Sequence, residues 1–324
     1  MFKLRRALLA LGVVCACAPS AFAQPDAYPN RPITIVVGYP PGGSTDLVAR
    51  VVAEEMARVL KGTLVIENIG GAGGALGAQK VVNAKADGHT LLVGVNNEIV
   101  IAESINKGLK YKGARDLEPL AVLAAQPLVL VASPKAGVRT PAEFVDAVKK
   151  APGKHAFGSS GIGTSLHLLG ELVKEKAGLD MLHVPYRGVA PLTTDLLGGN
   201  IDYGIFVMSS ALPHIKAGKL VPIGTSEAKR SGITPDIPAL AEHPAMKTID
   251  LSSWFMLAGP KGMPKEVVAK LRSAAQEALK SPVVRQKLHD AGASVPAPVA
   301  DLQKFMVDET EKFRRIADSA RIEQ

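Results

Sequence analysis

The chain has 324 residues, enough for two domains of ordinary size or one large one. A hydrophobic fraction of 47% and a charged fraction of 21% mark a globular protein and exclude a disordered or fibrous one. The formal charge is +8 and two cysteines are present, but both figures depend on the first segment.

Residues 1–23 read as a secretory signal peptide. Lys3, Arg5 and Arg6 make its positive head, and the uncharged apolar run over 7–18 is too short to span a bilayer as a helix. Ala21-Phe22-Ala23 is a small-x-small cleavage site that leaves Gln24 first. Of the 38 cations cleavage removes three, leaving 35 against 30 acids, a net +5. It also removes Cys15 and Cys17, so the mature chain has no thiol nucleophile, disulfide or cysteine metal site. No later stretch reaches about 18 uninterrupted apolar residues. The expected product is exported, soluble and held by a core that roughly 300 residues can supply.

Along the mature chain short apolar strands alternate with amphipathic helices, which predicts an α/β fold with mainly parallel sheets. The β-branched run 33–37 is a strand, the Gly/Pro turn 38–43 follows, and Ser44 or Thr45 caps a helix. Leu47, Val48, Val51, Val52, Met56, Val59 and Leu60 recur at helical spacing. Strand, glycine loop and helix repeat over 64–84, and 89–95 is a further strand ending at Asn96-Asn97-Glu98. Residues 120–131 read as one or two strands with a break at Gln126-Pro127. Thr140-Pro141-Ala142-Glu143 combines an N-cap, Pro at the first helical position and Glu at the third, a helix start. Strands are expected at 155–158, 181–185, 201–206, 220–225 and 254–258, with helices after 165 and 191 and a helical tail.

Three loops share one construction: strand, glycine turn, hydroxyl or proline, helix N-terminus. They are 42–45, 161–165 and 187–191. Glycine lets the backbone approach a ligand, and the free N–H groups of a first helical turn attract an anion without Lys or Arg. Parallel sheets bring such loops to one edge, so the three suggest a cleft gripping an anion from both sides. The phosphate-binding and dinucleotide fingerprints fail, as does the nucleophile elbow at Gly158-Ser159-Ser160, because the fifth position is Ile162. The histidines lack metal spacing, and no cofactor is expected. Ser165 and His167 stand two apart on a helix and do not face one another, which leaves His167 as a cleft wall. Arg187 is placed to pair with a ligand carboxylate, or is a surface arginine. Asp202 is read as accepting from a ligand or holding a loop. Asp46 is explained by the helix dipole.

Further residues carry a resemblance. Tyr28-Pro29-Asn30-Arg31-Pro32-Ile33, the run from Val37 to Asp46, Glu67-Asn68, Gly71-Ala72-Gly73-Gly74 and Ala86-Asp87-Gly88-His89 lie in the first part. Gly163-Thr164-Ser165-Leu166-His167-Leu168, Val184-Pro185-Tyr186-Arg187-Gly188, Leu197-Gly198-Gly199-Asn200-Ile201-Asp202 and Ser210 to Leu220 follow, then Trp254 to Pro264. In order and spacing the whole mature chain resembles the tripartite tricarboxylate transporter solute-binding proteins, the Bug-type receptors. The resemblance implies a two-lobed type II periplasmic-binding-protein fold, each lobe a mainly parallel sheet flanked by helices. It implies a first domain from 24–126 and 257–324 and a second from 127–256, hinged near 126–131 and 254–258. The implied ligand is a small di-, tri- or aromatic carboxylate, and the implied partner a membrane permease of a large and a small subunit.

The first contact loop then comprises Tyr39, Pro40, Gly43, Ser44, Thr45 and Asp46. The second comprises Ser159, Ser160, Gly163, Thr164 and Ser165, with His167 behind it. The third comprises Arg187, Gly188 and Ala190, with Asp202 near, and Asn96 closes the set. Two departures from the family pattern stand out: Val189 narrows the pocket, and Glu98, if it faces the cleft, disfavours a second carboxylate or selects a ligand donor. The expectation is a monomeric periplasmic receptor that is not an enzyme. A periplasmic ester hydrolase using a cleft hydroxyl is the alternative, but no base stands at sensible spacing. A modest +5 without a basic stripe gives no nucleic-acid footprint.

Overall fold

The computed structural model describes residues 28–320 and 322; the expected signal segment, with Cys15 and Cys17, lies outside the described residues. The first part holds β1 (Ile33–Val37), α1 (Ser44–Leu60), β2 (Leu64–Asn68), α2 (Ala75–Val82), β3 (Thr90–Val95), α3 (Ala102–Ile105) and α4 (Gly113–Asp116). The middle holds β4 (Leu117–Ala132), α5 (Pro141–Lys150), β5 (Ala156–Ser159), α6 (Ser165–Ala177), β6 (Leu182–Pro185) and α7 (Val189–Gly198). It continues with β7 (Tyr203–Val207), α8 (Met208–Lys216) and β8 (Val221–Thr225). The chain ends with β9 (Ser252–Pro260), α9 (Lys265–Lys280), α10 (Pro282–Asp290) and α11 (Leu302–Ser319).

The strands fall into two parallel trios joined by a shared spine. β1 lies between β2 and β3, and β5 lies between β6 and β7, all parallel. β9 runs antiparallel to β3 and β4, while β4 also pairs antiparallel with β7 and β8. Antiparallel pairing is thus confined to the spine and to β8, and the parallel trios keep their helix-opening ends for function.

β4 is one continuous strand, with no break at Gln126-Pro127. Pro127 faces Ser252 at the end of the β9 register, and Leu128 faces Val207 at the start of the β7 register. Proline has no N–H to give, and it stands where one partner strand ends and the next begins. Leu128 N–H donates to Ser226 Oγ at 2.9 Å, and Ser226 N–H returns a bond to the Leu128 carbonyl at 2.9 Å. Leu251 N–H donates to the Ser226 carbonyl at 2.8 Å, so the return to the first sheet comes at 251–252. The residues 254–258 expected at that crossing sit instead mid-strand, between β3 and β4.

Period-two alternation on β9 splits the core. Phe255 and Leu257 pack with Val48, Val52 and Met56 of α1 and Leu271 and Ala275 of α9. Trp254, Met256 and Ala258 face the opposite layer, with Met306 and Phe313 of α11. That second layer runs on without interruption to Leu168, Leu169 and Val173 of α6, so it ties the two sheets together. Trp254 Nε1–H also donates to Glu309 Oε2 at 2.7 Å. The expected capping box of α5 is present, with Glu143 N–H on Thr140 Oγ1 at 3.2 Å and Thr140 N–H on Glu143 Oε2 at 3.1 Å.

Candidate functional site

Helices α1, α6, α7 and α8 begin where β1, β5, β6 and β7 end. Three antiparallel steps, β3–β9, β9–β4 and β4–β7, set the two parallel trios in opposite senses, so these first turns do not share one edge as expected but face one another, and a crevice of about 420 Å³ opens between them. Gly42, Gly43, Ser44 and Leu47 of the α1 turn form one wall. Val189, Ala190 and Thr193 of α7 face them, with Ser209, Ser210, Pro213 and His214 of α8 beside. The lining includes neither Lys nor Arg.

The four helix ends are not equivalent. α1 begins after Gly43, not at a Ser44 cap, and has no side-chain cap. Gly42 turns the chain at φ +82°, which suits glycine and lets the backbone enter the helix without a Cβ in the way. α7 begins after Gly188 at φ +100° and is also uncapped. The first N–H groups of both helices have no partner along their own helix. α6 is different. Thr164 Oγ1 accepts from His167 N–H at 3.4 Å, and Gly163 N–H donates to His167 Nδ1 at 3.1 Å. Thr164 N–H donates to the Gly161 carbonyl at 3.4 Å, and Ser165 N–H donates to Asn97 Oδ1 at 2.9 Å. The α8 turn is held in the same manner, with Ser209 N–H on Gln126 Oε1 at 2.8 Å.

Asn97 belongs to a partly buried polar cluster centred on Glu98. Its Nδ2 donates to Tyr39 Oη at 3.2 Å, and that hydroxyl lies 2.8 Å from Glu98 Oε2 and 2.7 Å from the Gly73 carbonyl. Val95 N–H donates to Glu98 Oε1 at 2.7 Å. Glu98 is 1% exposed, so it points neither into solvent nor freely into the cleft. Burial pushes its carboxyl up to about 8, against the opposing bonds from Val95 and Tyr39. Burial, and then Glu98 itself, push the Tyr39 hydroxyl well above its ordinary value. One phenolic proton cannot serve both Gly73 and Glu98; a proton retained on Glu98 completes the set. The glycine at 74 is required here, because a Cβ would lie 2.6 Å from Glu98 Oε2.

The second cluster is built from imidazoles. His167 and His183 stack with ring centroids 3.7 Å apart, and Phe157 lies beyond His183 at 4.9 Å. Burial, helped by Lys174, lowers His167 to about 4. Burial, His167 and Lys174 lower His183 to about 3. His183 Nε2 lies 2.7 Å from Ser159 Oγ, a pairing of two residues 24 apart that sequence spacing did not disclose. It does not make a nucleophile. Ser159 is 0% exposed, its Oγ also donates to the Gly161 carbonyl at 3.1 Å, and His183 is too weak a base at neutral pH.

Several expected contacts fall elsewhere. Ser159 is buried under this histidine and does not reach the crevice. Asp46 is buried, and both its oxygens are spent on Gly42 N–H, Arg50 and Asn68 at 2.9 Å each. It fastens the α1 turn and presents nothing to a ligand. Asp202 precedes β7, at the opposite end of the strand from α8, and lies 3.1 Å from His155 Nδ1. Its place at the strand start, and not at the strand end, removes it from the cleft. Asn96 is fully buried, and its Nδ2 donates to the Ser252 carbonyl at 3.3 Å. The helical turn that begins there brings Asn97, and not Asn96, to α6. Thr45 is buried within α1, Pro40 and Arg187 are exposed, and among the described residues no ion pair involves Arg187. Gly43, Ser44 and Ala190 do line the crevice, and Gly188 opens α7 beside it. Ser160 lies half-buried behind that turn, its carbonyl accepting from Gly188 N–H at 3.2 Å. Sequence reading misses Asn97 and the α8 turn; the run from Ser210 carries only a resemblance.

Known proteins share this fold. The family model described as the tripartite tricarboxylate transporter family receptor matches residues 48–321. Protein BugT of Bordetella pertussis is 33% identical over 314 residues, which is 96% of either chain. MatC of Rhodopseudomonas palustris with bound malate superposes with a TM-score of 0.80 at 32% identity, covering 89% of this chain and 99% of its own. The periplasmic binding protein BugD superposes at 0.83 with 32% identity, covering 91% and 99%. The two-lobed binding-protein fold is therefore that of a solute receptor and not of an enzyme, and the chain belongs to the tripartite tricarboxylate transporter receptor family.

Proposed function

We propose that the chain is a periplasmic receptor that closes on a small organic carboxylate and delivers it to a two-subunit membrane permease. One observation carries the reading: the uncapped N-termini of α1 and α7 face each other across the crevice. Free N–H groups and two helix dipoles favour an anion there without any cationic side chain. The lobes divide where β4 changes partners at 127–128 and where the chain enters β9, and bending at these two points opens and closes the cleft. Ligand stabilises the closed state by its differential affinity for it. Malate bound to MatC, at similar fold and identity, supports a carboxylate here. Export follows from the leader at 1–23, cut after Ala23, and the receptor acts as a monomer.

A thermal-shift screen against organic acids tests this. A true ligand at about 100 times its Kd adds roughly 2.7 kcal/mol. Stabilisation by at least one small acid, and by none of the matching amides, is expected. If no acid raises the melting temperature, the receptor is not a carboxylate receptor.

A further inference from the structure

Of the anion-binding ends the sequence offered, one is already filled. Asn97 Oδ1 takes Ser165 N–H at 2.9 Å, and its orientation is fixed because that partner can only donate. The other half of the carboxamide is held at 3.2 Å by the Tyr39 hydroxyl, itself bound to buried Glu98. Four further N–H groups of that turn, at Gly161, Gly163, Thr164 and His167, bond within the loop or to Ser159 and His167. A carboxylate arriving at α6 would find these donors taken and a carboxyl group behind Asn97. The crevice beyond is lined mainly by small or apolar side chains such as Leu47, Val189 and Pro213.

A separate observation concerns the far end. Gln126 is 1% exposed, its Oε1 holds the Ser209 N–H of the crevice wall, and its Nε2 has no partner among the described residues. Ser209 Oγ beside it is likewise buried and unpartnered. A buried donor left without an acceptor is costly unless something brings one.

We infer that Asn97 sets the charge of the ligand: by filling the α6 end it leaves one anion pole, between α1 and α7, so the cleft selects acids with a single carboxylate and an uncharged, oxygen-bearing remainder. Gln126 and Ser209 receive that uncharged oxygen. This rests on the carboxylate reading and narrows it to a class.

Calorimetric titration of the purified protein with matched acids tests it: adipic acid against its monomethyl ester, and terephthalic acid against its monomethyl ester. The half-ester of at least one pair is expected to bind about tenfold or more tighter than the diacid. Asn97→Ser, which empties the α6 end, is expected to reverse or erase that preference, whereas Asn97→Asp sharpens it by placing a charge of like sign there. Gln126→Leu is expected to weaken the half-ester and spare hexanoate, which lacks the second oxygen. If no half-ester binds the unaltered protein more tightly than its diacid, the inference is overturned while the receptor is left intact. An unchanged ranking in both folded Asn97 variants overturns it too. If no acid of either pair binds and the wider acid screen is also blank, the carboxylate reading fails and takes the inference with it.

Discussion

Each of the two lobes holds a buried titratable cluster, an acid in one and a pair of bases in the other. The first lobe buries an acid, Glu98, pushed up to about 8. The second buries a stacked pair of bases, His167 and His183, lowered to about 4 and about 3. The cause is shared, because burial disfavours whichever form is charged. The consequence differs. Folded Glu98 keeps a proton that the unfolded chain gives up near 4.5. Its contribution is full below about 4.5 and is lost as pH rises through about 8. The folded histidines refuse a proton that the unfolded chain accepts near 6.5. Their contribution is full above about 6.5 and is lost as pH falls through about 4 and then 3. Asn97, bonded to Tyr39 on one side and Ser165 on the other, joins the two regions. Each lobe is thus stable with its cluster neutral, and the neutral forms coexist between the two limits.

The largest test of this contrast is Glu98→Gln. Glutamine keeps an acceptor for Val95 N–H and supplies a neutral donor to Tyr39. Chemical denaturation at pH 8.5 should show a gain of a few kcal/mol over the unaltered protein, shrinking to near zero at pH 4.5. An equal effect at both pH values would mean that Glu98 is not a retained-proton site.

A smaller effect of opposite slope is expected for His183→Phe. The ring can still stack between Phe157 and His167, but the bond to Ser159 is lost. The variant should lose about 1 kcal/mol at pH 7 and gain about 2 kcal/mol relative to the unaltered protein at pH 4.5. Denaturation curves at the two pH values would have to cross in rank. Parallel curves would place the acid sensitivity elsewhere.

The smallest effect belongs to Asp202→Asn. The residue sits at the start of β7, beyond reach of the crevice, and asparagine retains a partner for His155. Ligand affinity should be unchanged within about twofold, and stability should move by less than about 0.5 kcal/mol. A large loss of ligand affinity would restore Asp202 to the cleft.

Much of this was legible in the chain. The β-branched run 33–37, the helical stripe of α1 and the capping box at Thr140 each specify local structure through nearest neighbours. The glycine turns at 42–43 and 188 could be placed because an α1 or α7 start needs a backbone conformation that glycine adopts easily. The choice of Asn96 failed because the strand gives way there to a helical turn, which brings Asn97 to α6 instead. The break read at Gln126-Pro127 failed because a change of partner strand lets proline remain inside β4.

By itself the sequence determined the alternation of strand and helix, the glycine-opened helix ends and the family, all of which depend on residues close together along the chain. Only the tertiary structure decided which ends stay open. Asn97 and Ser165 are 68 residues apart, Gln126 and Ser209 are 83 apart, and Ser159 and His183 are 24 apart. A hydrogen bond has no local signature when its partners arrive from different strands. Whether a helix N-terminus waits for a ligand or is already satisfied is therefore settled by packing, not by the turn that opens it.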